Sequence, residues 1–319
     1  MKINRLLYRS LTIITLCFSK EAEIRESWAA LLNSNFEQVH ATHHINNLIR
    51  QNAIPSSKKE QDLLDRIGIK VLDEKLLVMM PDQMDEIYQT PHFNIHYDTD
   101  GSSGSVSSND LNNNSVPDYV ENMGLIFEDV YYFFKDSMGY DIIFLNSQNV
   151  GNNKYDIFID NLPTNYFAIT YTTSFINQAS TSCGSYIKMR NNYNGAAFQN
   201  ITELENIKIT AAHEFFHAIQ FSYNCYERFW LMEATAVWSE DEIYNEINDH
   251  YRYMPSWFQN SAKPIDDESS HMYGSFIFFQ YIDEHLGGYE TIKNIWERSR
   301  SNANSVNDVS FTSINEALK

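Results

Sequence analysis

Cations are scarce in this sequence. Its 319 residues carry 23 Lys and Arg against 42 Asp and Glu, a formal net charge of -19. That balance argues against nucleic acid or an anionic membrane face as a partner, since both are bound largely through Lys and Arg. It suits an extracellular, salt-exposed or calcium-binding protein. Cysteine is rarer still. Of three, Cys17 lies in an apolar N-terminal run, which leaves Cys183 and Cys225. Those two can form one disulfide in an oxidising compartment or remain buried thiols. Beyond that N-terminal run no apolar stretch approaches the ~20 residues of a membrane span, so no integral span is expected. Internal repeats and coiled-coil heptads are also missing. What is plentiful is core material: 43% hydrophobic and 14% aromatic residues exclude a disordered tail and allow a large core in one or two domains.

Neither Gly nor Pro interrupts the stretch from Asn200 to Phe221, and in it stands His213-Glu214-Phe215-Phe216-His217. Residues four apart share a helix face, so both imidazoles can reach one metal ion. Glu214 follows the first histidine and can sit beside a metal-activated water without ligating the metal, as the general base. Catalytic zinc takes three protein ligands and keeps one position open. The third is sought in Phe229 to Glu240, which reads as a second buried helix with Glu233 inside it. A buried carboxylate is costly unless paired or bound to metal. Glu233 is therefore the expected zinc ligand, with pairing to Arg228 or to a backbone amide as the plainer alternative. Glu240, seven residues on, shares its helix face and can orient a histidine ligand, or be an exposed helix-end acid.

The pattern H-E-F-F-H followed by W-L-M-E-A-T-A-V-W-S-E resembles the gluzincin metallopeptidases, the group that holds thermolysin and the zinc aminopeptidases. Ala234 stands where the aminopeptidase wording W-L-x-E-G-x-A has glycine, and the fifteen-residue spacer from His217 to Glu233 is shorter than in either family. The chain is also similar to a group of secreted bacterial metallopeptidases that carry an upstream N-x-N-x-x-P-D-Y-V-E segment, here Asn112 to Glu121. That likeness runs from about Phe93 to Gly288, roughly two thirds of the chain. It implies an α+β, zincin-like fold and zinc-dependent hydrolysis of peptide or protein substrates. It further implies an oxyanion donor. Tyr273 is the candidate, because Tyr273 to Gly288 resembles, with a one-residue shift, the aminopeptidase helix that begins with a catalytic tyrosine. A core or surface role for Tyr273 and a competing donor in His271 stay open. Ser185 to Met189 resembles the edge strand on which zincins hold an extended substrate. The aminopeptidase segment G-x-M-E-N is missing, which favours an endopeptidase.

A second constellation precedes the sheet region. Asp110, Asn112, Asn114, Val116, Asp118 and Glu121 fall at positions 1, 3, 5, 7, 9 and 12 of a calcium loop. Ser115 replaces the usual glycine and Pro117 is unusual, so an Asx-rich turn capping a helix over Tyr119 to Phe134 is the alternative. Phe93 to Tyr97 and Tyr155 to Ile159 alternate as strands do.

The ends complete the expected organisation. Lys2, Arg5 and Arg9 precede the apolar run Leu11 to Phe18, as in a secretory signal over residues 1–20, though without a tidy cleavage site. Secretion or a cell-envelope location follows. Residues 21–90 read as mostly helical and chemically quiet, with a pro-segment as one use for them. His40, His43 and His44 read there as a solvated helix face. Residues 91–319 form the expected catalytic domain, whose pattern stops in mid-helix and leaves a longer C-terminus open. The alternative to a zinc endopeptidase is a non-catalytic protein that binds calcium and a partner on a peptidase-like scaffold.

Overall fold

A computed structural model describes residues 20–32, 40–81, 84–102, 104–142, 154–175, 181–302 and 309–319. The proposed signal over residues 1–20 lies almost entirely outside them. Helix α1 covers 20–31. Then come α2 (Ala41–Gln51), α3 (Lys58–Ile67), the hairpin β1 (Ile69–Leu72) and β2 (Lys75–Val78), and β3 (Glu86–Gln89). The N-terminal region is thus helical only as far as Ile67. Helix α3 stops there because Gly68 turns the chain into the left-handed region at φ 87°, a conformation that costs glycine nothing.

The main sheet has five strands in the order β3-β4-β5-β7-β6, with β4 (Phe93–Tyr97), β5 (Tyr155–Asp160), β6 (Ala168–Phe175) and β7 (Cys183–Arg190). Strands β4, β5 and β7 run parallel, and β3 and β6 are antiparallel edges. The expected substrate edge, Ser185 to Met189, is therefore interior: β7 lies between β5 and β6 and is buried at every position. Even Lys188 is taken up within the fold, pairing at 3.0 Å with Asp160. Strand β6 is the edge.

Side chains alternate across the sheet, and each face has its own cover. Ile157, Ile159, Ile187 and Met189 face a core shared with Phe127, Phe215 and Phe216. These come from α4 (Asp118–Tyr132) and α5 (Glu203–Asn224). Phe158, Tyr171 and Tyr186 face the other way, onto Leu48, Leu64 and Ile67 of the N-terminal helices. The rest is helical: α6 (Phe229–Ile243), α7 (Met254–Gln259), α8 (His271–Gly274), α9 (Phe276–His285), α10 (Tyr289–Asn302) and α11 (Ser310–Ala317). The architecture is α+β, with N-terminal helices, a mixed sheet and a helical C-terminal region. No helix among the described residues is long and apolar enough to cross a membrane.

Cys183 at the start of β7 is joined to Cys225 just after α5 by a disulfide, closing a separation of 42 residues. On the chain-entropy argument a loop of that size stabilises the fold by about 4 kcal/mol. Reduction is expected to move the denaturant midpoint down accordingly; an unchanged midpoint after reduction would count against the bond.

Candidate metal centre

Helix α5 begins at a capping box: Thr202 accepts from the Glu205 N–H while the Glu205 side chain takes the Thr202 N–H. From Ile209 to Asn224 it is buried without a break. Four-residue spacing does the rest, setting the His213 and His217 rings 4.6 Å apart. A short turn then delivers α6, in which Glu233 is fully buried. His213 Nε2 lies 3.2 Å from Glu233 Oε2, and His217 Nε2 lies 3.3 Å from Glu233 Oε1. Ligands placed ~2.0–2.1 Å from a tetrahedral metal stand about 3.3 Å from one another. His217 Nε2 and Glu233 Oε1 are buried and make no hydrogen bond. Buried polar atoms without partners are costly, and a cation among them removes that cost. The His213–Glu233 and His217–Glu233 contacts both have the spacing that two ligands of one metal ion would show.

The far sides of both rings are anchored. His213 Nδ1 meets Glu240 Oε1 at 2.7 Å, and His217 Nδ1 meets Gln220 Oε1 at 2.8 Å. Gln220 is fixed in turn, donating to the Met232 carbonyl at 2.9 Å and to Thr235 Oγ1 at 3.0 Å. With each Nδ1 engaged in this way, Nε2 is the ring atom left to take a metal once it carries no proton. Burial opposes the charge on His213, yet its hydrogen bonds and attraction to Glu233 and Glu240 push it up to about 10. Burial likewise works to raise Glu233, but the charge His217 can carry and the imidazoles of His213 and His43 beside the carboxylate hold it well below the usual carboxylate range. Burial raises Glu240. Two buried carboxylates bracketing one imidazole make a place for positive charge. Partners of this kind typically contribute 10–100-fold in metal affinity. Glu240→Gln is expected to lose that much in competition against a chelator of known strength; unchanged affinity would leave Glu240 a mere packing acid.

Residues 70–310 match the model of a family of unknown function, DUF6055. The chain belongs to that family. No curated protein matches it. The DUF6055 segment takes in the five-stranded sheet, the histidine helix, Glu233, Glu240 and Tyr273, and starts after α3.

Glu214 is buried beside the cluster. Its Oε2 accepts from Thr42 Oγ1 at 2.7 Å and from Thr170 Oγ1 at 2.6 Å, while Oε1 has no hydrogen bond. Tyr273 reaches the cluster through His43, whose Nδ1 is 3.1 Å from the tyrosine hydroxyl and 3.3 Å from Glu233 Oε1. His271 goes elsewhere and stacks on Trp257 with ring centroids 5.6 Å apart. Arg228, the alternative partner for Glu233, pairs with Asp266 and Glu268.

The loop from Asp110 to Glu121 is exposed and held by its own side chains. Asp110 accepts from the N–H groups of Asn114 and Ser115, Asp118 from that of Leu111, and Asn114 Oδ1 from that of Val116. The Asn112 and Asn114 amides therefore turn their donors to Glu121, at 2.9 and 2.6 Å.

Sequence reasoning missed the N-terminal contribution to this DUF6055 site. His40 and His43 are buried, not solvated. Helix α2 packs along β6, and its first turn meets Glu214, Glu233 and Tyr273 in place of water. His40, His213 and Glu233 offer ligand atoms within 4.8 Å of one another, the one such group among the described residues. The signal was present: three of ten histidines stand within five residues.

Proposed function

We propose that this DUF6055 chain is a zinc-dependent peptide hydrolase. One observation carries the reading: a buried carboxylate with an unpartnered oxygen, Glu214 Oε1, lines the same small cavity as His213, the histidine that meets Glu233. A metal cluster that only braced the fold would have no use for it. When bound, zinc supplies Lewis acidity that makes water nucleophilic near neutral pH. The protein's share is then proton traffic and orientation. Glu214 accepts the proton of the attacking water and delivers it to the leaving amine. Glu240 and Gln220 hold the ligand rings, and Tyr273 donates to the developing oxyanion. An endopeptidase working on extended chains is the form this takes. The disulfide and the basic-then-apolar N-terminus support work in an oxidising compartment outside the cytoplasm. The Asp110–Glu121 loop we read as a self-bonded turn leading into α4, because a calcium ion there would face two amide N–H₂ groups.

A second reading has an observation of its own. With His40 added, the cluster has four candidate ligands, and closed four-ligand sites are structural ones. Elemental mass spectrometry of the dialysed, folded chain tests what both readings share. About one zinc per chain is expected, and a folded chain without metal would overturn them together.

A further inference from the structure

Glu214, Glu233 and Tyr273 are all engaged by one short stretch of the chain. The stretch begins at His40, whose Nδ1 is buried without a hydrogen bond while Nε2 is held by Tyr253 Oη at 2.6 Å, with Arg252 Nη2 2.9 Å away. Nε2 therefore accepts from two donors, Arg252 Nη2 and the Tyr253 hydroxyl, which puts the proton of the neutral ring on Nδ1, and the ring packs 4.4 Å from that of His213, in one group with Glu233. Two residues on, Thr42 donates to Glu214. The His40 carbonyl and the His43 ring flank the Tyr273 hydroxyl, at 3.5 and 3.1 Å.

The same stretch also closes the sheet edge. Strand β6 pairs only with β7, so its other side is free for an added strand. There the Thr170 N–H donates to Thr42 Oγ1 at 2.9 Å and the Thr170 carbonyl accepts from Asn46 Nδ2 at 3.1 Å. Those are the main-chain groups an extended peptide would use. What space remains between His40, His213, Glu214 and Glu240 is a cavity of about 10 Å³, room for one water at most. A substrate cannot enter beside this segment.

We propose that residues 40–46 are a built-in inhibitor: the His40 ring blocks the approach to the His213 and Glu233 side chains, and Thr42 and Asn46 occupy the edge of β6 where a substrate strand would lie. This rests on the hydrolase reading. The DUF6055 match starts at residue 70, so the inhibitor is appended to the matched core and can be withdrawn without removing any part of it. The chain as folded is latent, and withdrawal of the segment opens the metal, Glu214, Tyr273 and β6 together.

The test uses the full chain loaded with cobalt(II), whose visible absorption reports its ligands, and acetohydroxamate as a small metal-seeking probe. Wild type and His40→Ala are each expected to hold about one cobalt. The wild-type spectrum should stay unchanged at millimolar probe, while that of His40→Ala shifts, with hydrolysis of a peptide pool rising at least ~10-fold. A wild-type spectrum that responds as readily as the variant's overturns the inhibitor. Folded wild type that holds no cobalt overturns the metal reading itself, so the two failures are separate. Should His40→Ala fail to fold, Thr42→Val/Asn46→Ala loosens the same segment and should speed the probe's entry at least ~10-fold; an unchanged rate overturns the proposal.

Discussion

Glu214→Gln is expected to keep its zinc and lose peptide hydrolysis by about 10²–10⁴-fold, the usual share of a positioned general base. The substitution preserves shape and the acceptor oxygen for Thr42 and Thr170, which reach Oε2 at 2.7 and 2.6 Å. It removes only the ability to take a proton on the oxygen that has no partner. Fold and metal content should therefore be untouched, and the loss should fall on turnover. Because residues 40–46 cover the site, the comparison is made in the wild-type and the His40→Ala backgrounds. Hydrolysis that survives in the open background would remove Glu214 from the mechanism. Equal inactivity in both backgrounds, with one zinc in each, would favour the structural-metal reading.

Glu233→Ala should have the other large effect, on metal and fold together. Glu233 is fully buried and lies within 3.3 Å of ring nitrogens of His43, His213 and His217. Removing one member of such a buried charged cluster typically costs about 3–5 kcal/mol. A denaturant melt in the presence of chelator isolates that term. In metal-replete protein, two imidazoles from α5 cannot hold zinc without an anionic third ligand, so zinc per chain should fall below about a tenth of wild type. Zinc retained at full occupancy would mean that His40 supplies the third ligand.

Much of this centre was legible locally. The four-residue spacing of His213 and His217, the helix free of Gly and Pro and the acid inside an apolar helix are properties of single elements. Each needs only the 3.6-residue repeat and the cost of burying charge to be read. Strand alternation was legible too: Ile157 and Phe158 lie in different cores because neighbouring side chains point to opposite faces. Less visible was what each element leans on. Ser185 to Met189 resembled a substrate-holding edge strand, and only the pairing of β7 with both β5 and β6 corrected that. His40 and His43 looked like a solvated face, because the periodicity of α2 says which side chains share a face and nothing about what covers it.

The residue order by itself determined the metal motif, the helices that carry it, the two-faced strands and the helix stops. These depend on contacts between residues a few positions apart, which any local conformation must satisfy. Tertiary structure decided the joining of Cys183 to Cys225, the choice of β6 as the free edge and the arrival of residues 40–46 at the metal centre. The Thr42–Glu214 hydrogen bond spans 172 positions. No local pattern encodes a contact of that range; it exists because burying both faces of one sheet brings the N-terminal helices up to Glu214 and Glu233.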